Sequence, residues 1–268
     1  MTSKIRLDLL LVQRGLCETR ARAQARILAG DVLVDDRPIT KAGTAVDEAA
    51  PIRLRGEGLP FVSRGGLKLE RALNLWGLDP AGRICFDAGS STGGFTDCLL
   101  QRGAAKVYAV DVGTNQLHWK LRSDSRVVSM EQVNLRTWDP ALIPERCSLL
   151  VADLSFISLR LAIPPVLPSL APGAEAVLLV KPQFEAGRDD VGAGGIVRDP
   201  EIHRRVLVET WTFFAGTPLR PQALALSPIK GGEGNTEFLL RLALGGKVGS
   251  LGSALASLIK PWGAVPPP

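Results

Sequence analysis

The stretch Asp87-Ala88-Gly89-Ser90-Ser91-Thr92-Gly93-Gly94-Phe95 places three glycines directly after an apolar run, Ile84 to Phe86. A helical pattern follows as far as Arg102, and a second apolar run ends at Asp111. The order is therefore strand, glycine turn, helix, strand and acid. This order is typical of one half of a nucleotide-binding sheet, in which glycine lets the backbone approach a ligand because no Cβ intervenes.

The two acids of this region favour one kind of ligand. A carboxylate at the end of the first strand, Asp87, repels phosphate but suits an amino-acid ammonium group. A carboxylate at the end of the second strand, Asp111, suits ribose hydroxyls. S-adenosylmethionine, a nucleoside joined to an amino acid, meets both conditions. The spacing of Gly89, Gly93 and Gly94 differs from the G-x-G-x-x-G of dinucleotide-binding enzymes, which disfavours a dehydrogenase.

The rest of the chain beyond residue 81 alternates apolar runs with helical patterns. Strands are predicted near 83–87, 106–111, 126–131, 148–153, 176–181, 222–227 and 236–243, and helices near 94–102, 115–121, 158–168 and 200–215. This alternation predicts an α/β fold with a parallel, doubly wound Rossmann-like sheet over residues 81–245. Residues 246–268, rich in Gly, Ser, Ala and Pro, are predicted to be a flexible tail.

The N-terminal residues 1–58 form a different pattern, a small α+β unit with two helices followed by short strands. Thr19 is placed to cap the second helix, and Gly30 lies just past its end. Arg20, Arg22 and Arg26 lie on or beside this helix and suit an anionic partner, although an ordinary solvated helix face explains them equally well. Residues 59–80 are predicted to be a linker and a leading helix that presents Lys68.

Composition limits the classes of function. The 268 residues carry a net charge of +5, which mildly favours a polyanionic partner. Four scattered cysteines and two histidines make a poor ligand set, so we expect reduced thiols, no metal site and a cytoplasmic setting. The longest uncharged apolar stretch, 161–174, contains four prolines and is too short to span a bilayer, so no membrane association is expected.

Four charged residues, here called the tetrad, are candidates for catalysis: Lys68, Asp153, Lys181 and Glu237. Asp153 and Lys181 directly follow apolar strand patterns, at the carboxyl ends where ligands bind in such sheets. Glu237 enters the last strand, so three of the four lie beside predicted strand ends. A lysine whose stem packs on apolar surface is the alternative explanation for Lys181. A desolvated lysine beside a second ammonium can act as a general base and take the proton of a ribose hydroxyl. Asn134, after the third strand, is a candidate to bind adenine, or it is only a turn residue.

The N-terminal sequence resembles the S4-type RNA-binding domain. The matching strings are Leu7-Asp-x-Leu-Leu-Val-x-x-Gly-Leu16, Thr19-Arg-Ala-x-Ala23 and Ile27-Leu-Ala-Gly-x-Val-x-Val-Asp35. This resemblance implies that basic residues of the helix pair, here Arg20, Arg22 and Arg26, contact the phosphates of structured RNA.

Almost the whole chain, to about residue 244, resembles the TlyA family, in which an S4-type domain precedes an FtsJ-like ribosomal RNA 2'-O-methyltransferase domain. The matching strings begin at Phe61, Asp87, Asp111, Asp153, Val180 and Ser227, and include Asp87-Ala-Gly-Ser-Ser-Thr-Gly-Gly-Phe-Thr96, Asp153-Leu-Ser-Phe-Ile-Ser-Leu159, Val180-Lys-Pro-Gln-Phe-Glu185 and Gly234-Asn-Thr-Glu237. One departure is Thr92-Gly-Gly-Phe95, where FtsJ-like enzymes have Pro-Gly-Gly-Trp; TlyA-like proteins share the Thr and the Phe.

The resemblance implies an activity and a set of site residues. The activity is S-adenosylmethionine-dependent methylation of cytidine 2'-hydroxyls in ribosomal RNA of the large subunit and, in some members, of the small one. FtsJ-like enzymes use a Lys-Asp-Lys-Glu tetrad, which corresponds to the four residues above, with Lys181 as the base. The implied cofactor contacts are Gly93, Phe95, Asp111, Asn134 and Asp153, beside Asp87 and Gly89 from the turn itself.

Further implications concern the linker and the competing functions. In the family, the segment corresponding to Phe61–Arg64 couples RNA binding to cofactor binding, which makes Arg64 a candidate for that role. Residues 187–198 form either a mobile lid or an ordinary surface loop. A non-catalytic RNA-binding protein and a membrane-damaging hemolysin remain alternatives; the intact tetrad disfavours the first, and the lack of an apolar or amphipathic membrane segment disfavours the second.

Overall fold

The computed structural model describes residues 4–54, 60–231 and 234–259, without the side chains of Arg188 and Ile259. Residue 59, the first of the predicted linker, and the last residues of the predicted tail lie outside these ranges. The chain divides into two compact units, Met1–Pro60 and Phe61–Pro268. The predicted leading helix therefore belongs to the second unit.

The first unit packs two helices on short strands. Its elements are β1 Lys4–Arg6, α1 Leu7–Gln13, α2 Arg20–Leu28, β2 Val32–Val34, β3 Arg37–Pro38, β4 Ala45–Asp47 and β5 Ile52–Leu54. Strands β1 and β4 pair with each other, and β2 lies between β3 and β5. Thr19 caps α2 as predicted, because its side chain accepts a hydrogen bond from the backbone N–H of Arg22 at 3.2 Å. Leu7, Leu10, Leu11 and Ile27 lie in the core.

The second unit is built on a seven-stranded sheet. Its strands are β6 Ile84–Ala88, β7 Lys106–Val110, β8 Val127–Met130, β9 Cys147–Ala152, β10 Leu170–Val180, β11 Leu219–Leu226 and β12 Phe238–Leu244, in the order β11-β12-β10-β9-β6-β7-β8. The strands from β10 to β8 are parallel, whereas β12 pairs antiparallel with both β10 and β11. The predicted parallel, doubly wound sheet is confirmed for the strands from β10 to β8, and the antiparallel direction of β12 was not predicted. Antiparallel pairing brings the start of β12 to the same edge as the ends of the parallel strands.

Helices cover both faces of this sheet. They are α3 Gly65–Trp76, α4 Gly94–Gln101, α5 Trp119–Arg122, α6 Leu159–Ala162, α7 Pro182–Glu185, α8 Pro200–Ala215 and α9 Leu251–Ile259. The helix predicted over 158–168 is wrong beyond Ala162: a 3-10 helix, Pro164–Ser169, follows it, because prolines cannot donate the bonds that continue an α-helix. The helix predicted over 115–121 begins only at Trp119. Within the described ranges, no helix is long and apolar enough to cross a membrane.

The predicted flexible tail is wrong for residues 251–259, which form α9. This helix buries Ala254 and Leu258, and the Ser257 hydroxyl donates to the backbone carbonyl of Leu224 in β11 at 3.2 Å. Small residues let the helix lie close to the sheet, and the apolar residues recur at helical spacing. The segment is therefore part of the folded unit.

Candidate active site

The glycine turn after β6 brings two parallel strands and their acids together. Gly89 has φ +80°, and a Cβ at this position would lie 2.8 Å from the carbonyl oxygen of Asp153, so the turn requires glycine. Asp111 directly follows β7 and accepts hydrogen bonds from the backbone N–H groups of Ser91 at 2.8 Å and Gly113 at 2.7 Å. These bonds fix the orientation of its carboxylate.

A cavity of about 550 Å³ opens beside this carboxylate, and we call it the Asp111 cavity. Gly89, Asp111, Asn134 and Asp153 line it, together with apolar side chains such as Leu154. A carboxylate accepts about four hydrogen bonds, so Asp111 keeps capacity for two hydroxyl donors. Asn134 is exposed at the wall; its Oδ1 accepts a hydrogen bond from the backbone N–H of Arg136 at 3.0 Å, which directs the amide NH2 as the group that can meet a base edge. A cavity with apolar walls, a carboxylate that can accept from two ribose hydroxyls and a side-chain amide fits a nucleoside.

The tetrad assembles at the neighbouring edge of the sheet. Asp153 follows β9, Lys181 follows β10, Glu237 precedes β12 and Lys68 projects from α3. The ammonium nitrogen of Lys68 lies 2.7 Å from Glu237 Oε2 and 3.4 Å from Asp153 Oδ2, and that of Lys181 lies 2.6 Å from Asp153 Oδ1. Asp153 therefore bridges two lysines, and the two cationic and two anionic groups balance in charge.

Burial makes these ion pairs interdependent. The side chains of Lys68 and Lys181 are each 9% exposed and that of Glu237 is 2% exposed. Charges so far from water are tolerated only when each has its partner. Lys181 also donates to the Ser155 hydroxyl at 3.0 Å. Two of its three N–H positions are thus directed at protein oxygens, and one is left for a ligand.

A second cavity, of about 290 Å³, adjoins the tetrad and is here called the tetrad cavity. Lys68, Asp153 and Lys181 line it from one side, and the turn residues Gly89 to Thr92, Gly94 and Phe95 from another. Arg64 and Ser63 line it as well, followed by the segment 229–231. Asp153 and Gly89 belong to both cavities, so a ligand in the Asp111 cavity can extend to the tetrad.

Asp87 lies near the end of β6, as predicted, but its side chain is enclosed. It is fully buried, lines neither cavity, and accepts a hydrogen bond from the Thr96 hydroxyl at 2.6 Å. Burial raises the pKa of its carboxyl to about 7. Its Oδ1 has no hydrogen-bond partner in the described part of the chain. The strand turns this side chain towards α4, and direct contact with an ammonium group stays a prediction.

Gly93 also has a packing role. It adopts φ +97°, and a Cβ there would lie 2.2 Å from Leu121 Cδ1 and 2.8 Å from Leu117 Cδ1. It lines neither the Asp111 cavity nor the tetrad cavity, and its contact with the cofactor stays a prediction. Phe95, its near neighbour, lines the tetrad cavity.

The predicted RNA-binding arginines differ in their surroundings. Arg20 donates from Nε to the buried Asp8 carboxylate at 2.9 Å, beside the double hydrogen bond from Arg6. These hydrogen bonds, that from Arg6 first, hold the pKa of Asp8 well below its usual range. Arg22 pairs with Glu18 at the surface. The Arg26 side chain is only 18% exposed and lies 3.8 Å from Asp31, so it presents the least surface to a partner.

Sequence reasoning missed several residues around the tetrad. Ser155, within the string that begins at Asp153, positions Lys181. Phe156 is 91% exposed with φ +64°, and its ring centroid lies 5.1 Å from that of Phe184. Asn235 is buried and holds residues 195–197 by donating to the Gly195 carbonyl at 2.9 Å and accepting from Val197 N–H at 3.0 Å. The segment predicted as a lid, 187–198, lines neither cavity.

The cysteines are remote from this chemistry. All four are buried and free. Burial raises the pKa of Cys85, Cys98 and Cys147 to about 12, which keeps these thiols protonated and non-nucleophilic. In the described ranges, no group of three His, Cys, Asp or Glu residues is placed to hold a metal ion.

Comparisons with known proteins identify two families along the chain. The profile of the FtsJ-like methyltransferase family matches residues 61–244, and that of the S4 domain matches residues 5–52. YqxC of Bacillus subtilis is 51% identical over 247 residues, which cover 90% of this chain and 87% of YqxC. The 16S/23S rRNA (cytidine-2'-O)-methyltransferase TlyA of Mycobacterium tuberculosis is 43% identical over 243 residues, 90% and 91% of the two chains. A solved structure from Streptococcus thermophilus, described as a hemolysin, has a TM-score of 0.74 and 43% identity, covering 96% of this chain and 98% of that one.

Proposed function

Because this chain belongs to the FtsJ-like methyltransferase family, we propose that it methylates the 2'-hydroxyl of a cytidine in ribosomal RNA. The chain is a methyltransferase and its cofactor is S-adenosylmethionine. The Mycobacterium tuberculosis relative, named for methylation of cytidine 2'-oxygens in 16S and 23S rRNA, matches over 90% of this chain. The observation that carries the proposal is the bridged tetrad at the meeting point of the two cavities.

The residues of the Asp111 cavity fit the nucleoside part of the cofactor. Asp111 accepts from the ribose hydroxyls, Asn134 bonds the adenine edge, and Gly89 lets the backbone come close. Asp153, common to both cavities, offers a carboxylate to the amino-acid end. When bound, S-adenosylmethionine supplies an electrophilic methyl group on a positively charged sulfur.

Lys181 acts as the general base in this proposal. Asp153 and Ser155 fix its Nζ, which lines the tetrad cavity and, in its neutral form, accepts the proton of the ribose 2'-hydroxyl. Lys68 balances Glu237 and holds the far side of Asp153, so it positions the bridge without receiving the proton. A ribose hydroxyl held against Lys181 is both oriented and activated.

The RNA is held by both units in this proposal. Arg20 and Arg22 project partly exposed guanidinium groups from the S4 domain, and Arg26 contributes less surface. Arg64, exposed at the tetrad cavity, is placed to meet a phosphate of the target nucleotide or its neighbour. The target RNA lies in ribosomal subunits or ribosomes, and the enzyme acts in the cytoplasm.

The proposal is tested by transfer of labelled methyl from S-adenosylmethionine to purified, unmethylated ribosomal subunits, followed by mapping of ribose methylation. We expect label on a cytidine 2'-oxygen. A Lys247→Met variant, which alters an exposed lysine that lines neither cavity, serves as the matched control and should retain activity. Label on a base atom, or cofactor binding without transfer to either subunit, would contradict the proposal, and the second result would favour a non-catalytic RNA-binding protein.

A further inference from the structure

One large aromatic side chain beside the tetrad cavity has no role in the chemistry above. Trp119 begins α5 and is 70% exposed, whereas the other described tryptophans, Trp76, Trp138 and Trp211, are half-buried or buried. A single exposed apolar residue is common on protein surfaces and means little alone. The position of Trp119 relative to the cavities is what distinguishes it.

The neighbours of Trp119 are tied directly to the site. The backbone N–H of His118 donates to the carbonyl of Thr92 at 3.2 Å, and Thr92 lines the tetrad cavity. Gln116, on the other side, lines the Asp111 cavity. Trp119 directly follows His118, which is hydrogen-bonded to the wall of the tetrad cavity. We therefore place the exposed indole near the rim of the two cavities.

Packing turns the indole away from the protein. Leu117 and Leu121, two residues before and two after Trp119, are buried, and both would contact a Cβ placed on Gly93. Residues two apart do not share a helix face, so the packing that anchors these leucines directs Trp119 outwards. The anchoring point is Gly93 of the glycine turn, which directly precedes α4.

The side chains around the indole suit a nucleic acid base. The ring of His118 lies 5.9 Å from that of Trp119 between centroids, with 30° between the planes, so the two aromatic groups lie side by side in nearly the same orientation. Lys120 is exposed and has no ion-pair partner among the described residues. Aromatic faces next to a free cation are the elements with which proteins stack unpaired bases and hold the adjoining phosphate.

We propose, in a step that rests on the proposed function, that Trp119 stacks on an unpaired base of the ribosomal RNA near the target nucleotide, while Lys120 contacts the adjoining phosphate. Trp119 is then a positioning residue: it binds RNA outside the reaction cavity and does not touch the transferred methyl group. Stacking needs no particular base, so this contact adds affinity and orientation more than sequence preference.

The test compares Trp119→Ala and Trp119→Phe with the wild-type full chain, using both ribosomal subunits and protein-free rRNA. Loss of one stacked base corresponds to an approximately ten- to hundredfold loss of affinity. We expect Trp119→Ala to raise the KM for RNA by that factor with little change in kcat and in S-adenosylmethionine affinity. Trp119→Phe should restore most of the loss because it keeps an aromatic face. Phe213→Ala, which removes a partly exposed aromatic ring from α8, is the matched control.

Three results would overturn the inference. One is an unchanged KM for RNA in Trp119→Ala. Another is a loss that Trp119→Phe does not restore and that is accompanied by weaker cofactor binding, since this indicates a structural defect. The third is a loss with intact subunits but none with protein-free rRNA, which would assign the indole to a ribosomal protein. If the wild-type protein binds RNA without methylating it, the proposed function fails, and the RNA affinity of Trp119→Ala still decides the inference.

Discussion

The ion pair between Lys68 and Glu237 allows a quantitative test of how the tetrad is held. The Lys68→Met variant keeps the apolar stem but leaves the Glu237 carboxylate without the ammonium group 2.7 Å away. Because the glutamate side chain is 2% exposed, water cannot replace the lost partner. An unpaired charge at such a site costs about 3–5 kcal/mol of unfolding free energy. Asp153 loses only the longer contact, at 3.4 Å, and keeps Lys181.

The double variant Lys68→Met/Glu237→Gln removes the stranded charge. Its loss of stability should be about 1–3 kcal/mol, that of an incompletely bonded amide, and smaller than the loss in Lys68→Met alone. Urea unfolding of the full chain, with m-values compared between variants, measures both quantities. Lys247→Met should change stability by less than about 0.5 kcal/mol. A loss of under about 1 kcal/mol of unfolding free energy in Lys68→Met would refute the reasoning. So would a loss in the double variant equal to the sum of the losses in Lys68→Met and in Glu237→Gln alone.

Three further predictions concern packing and charge elsewhere. As the pH rises from 4 to 7, the wild-type protein should lose up to about 4 kcal/mol of unfolding free energy relative to Asp87→Asn, because a carboxyl with a raised pKa binds more protons in the folded than in the unfolded state. A difference in unfolding free energy between the two proteins that does not change with pH, measured in urea, would contradict this. Gly93→Ala should cost about 2–5 kcal/mol through left-handed strain and overpacking, and a thermal melt that is unchanged would exclude the clash. Arg20→Ala should destabilise the first unit by about 1–2 kcal/mol because it weakens the support of the buried Asp8, whereas Arg22→Ala should have almost no effect; equal effects in chemical unfolding would be inconsistent with these environments.

The tetrad could be predicted because its signals are local. Asp153 and Lys181 directly follow apolar runs that become neighbouring parallel strands, and the ends of parallel strands meet at one edge of a sheet. Glu237 reaches the same edge only because β12 is antiparallel, a feature that the alternation of strands and helices did not indicate. Its entry into the last strand and the resemblance to a known family pointed to Glu237, but neither predicted the strand direction.

Other features depend on contacts that are distant in sequence. The burial of Asp87 could not be predicted, because only its packing against Thr96 reveals that the side chain is enclosed. The role of Gly93 depends on leucines that lie more than 20 residues further along the chain. The helix α9 was missed although Leu251, Leu255 and Leu258 recur at helical spacing, because the many Gly, Ser and Ala residues around them suggested a tail.

The general-base role of Lys181 is tested most directly by the Lys181→Met variant, assayed for S-adenosylmethionine binding and for methyl transfer to ribosomal subunits under single-turnover conditions. Removal of a general base lowers the rate by about 10²–10⁴-fold. We predict a fall of this size with cofactor affinity within a few-fold of the wild-type value, since Asp111 and the glycine turn are untouched. Transfer within about tenfold of the wild-type rate would contradict the assignment of Lys181 as the base.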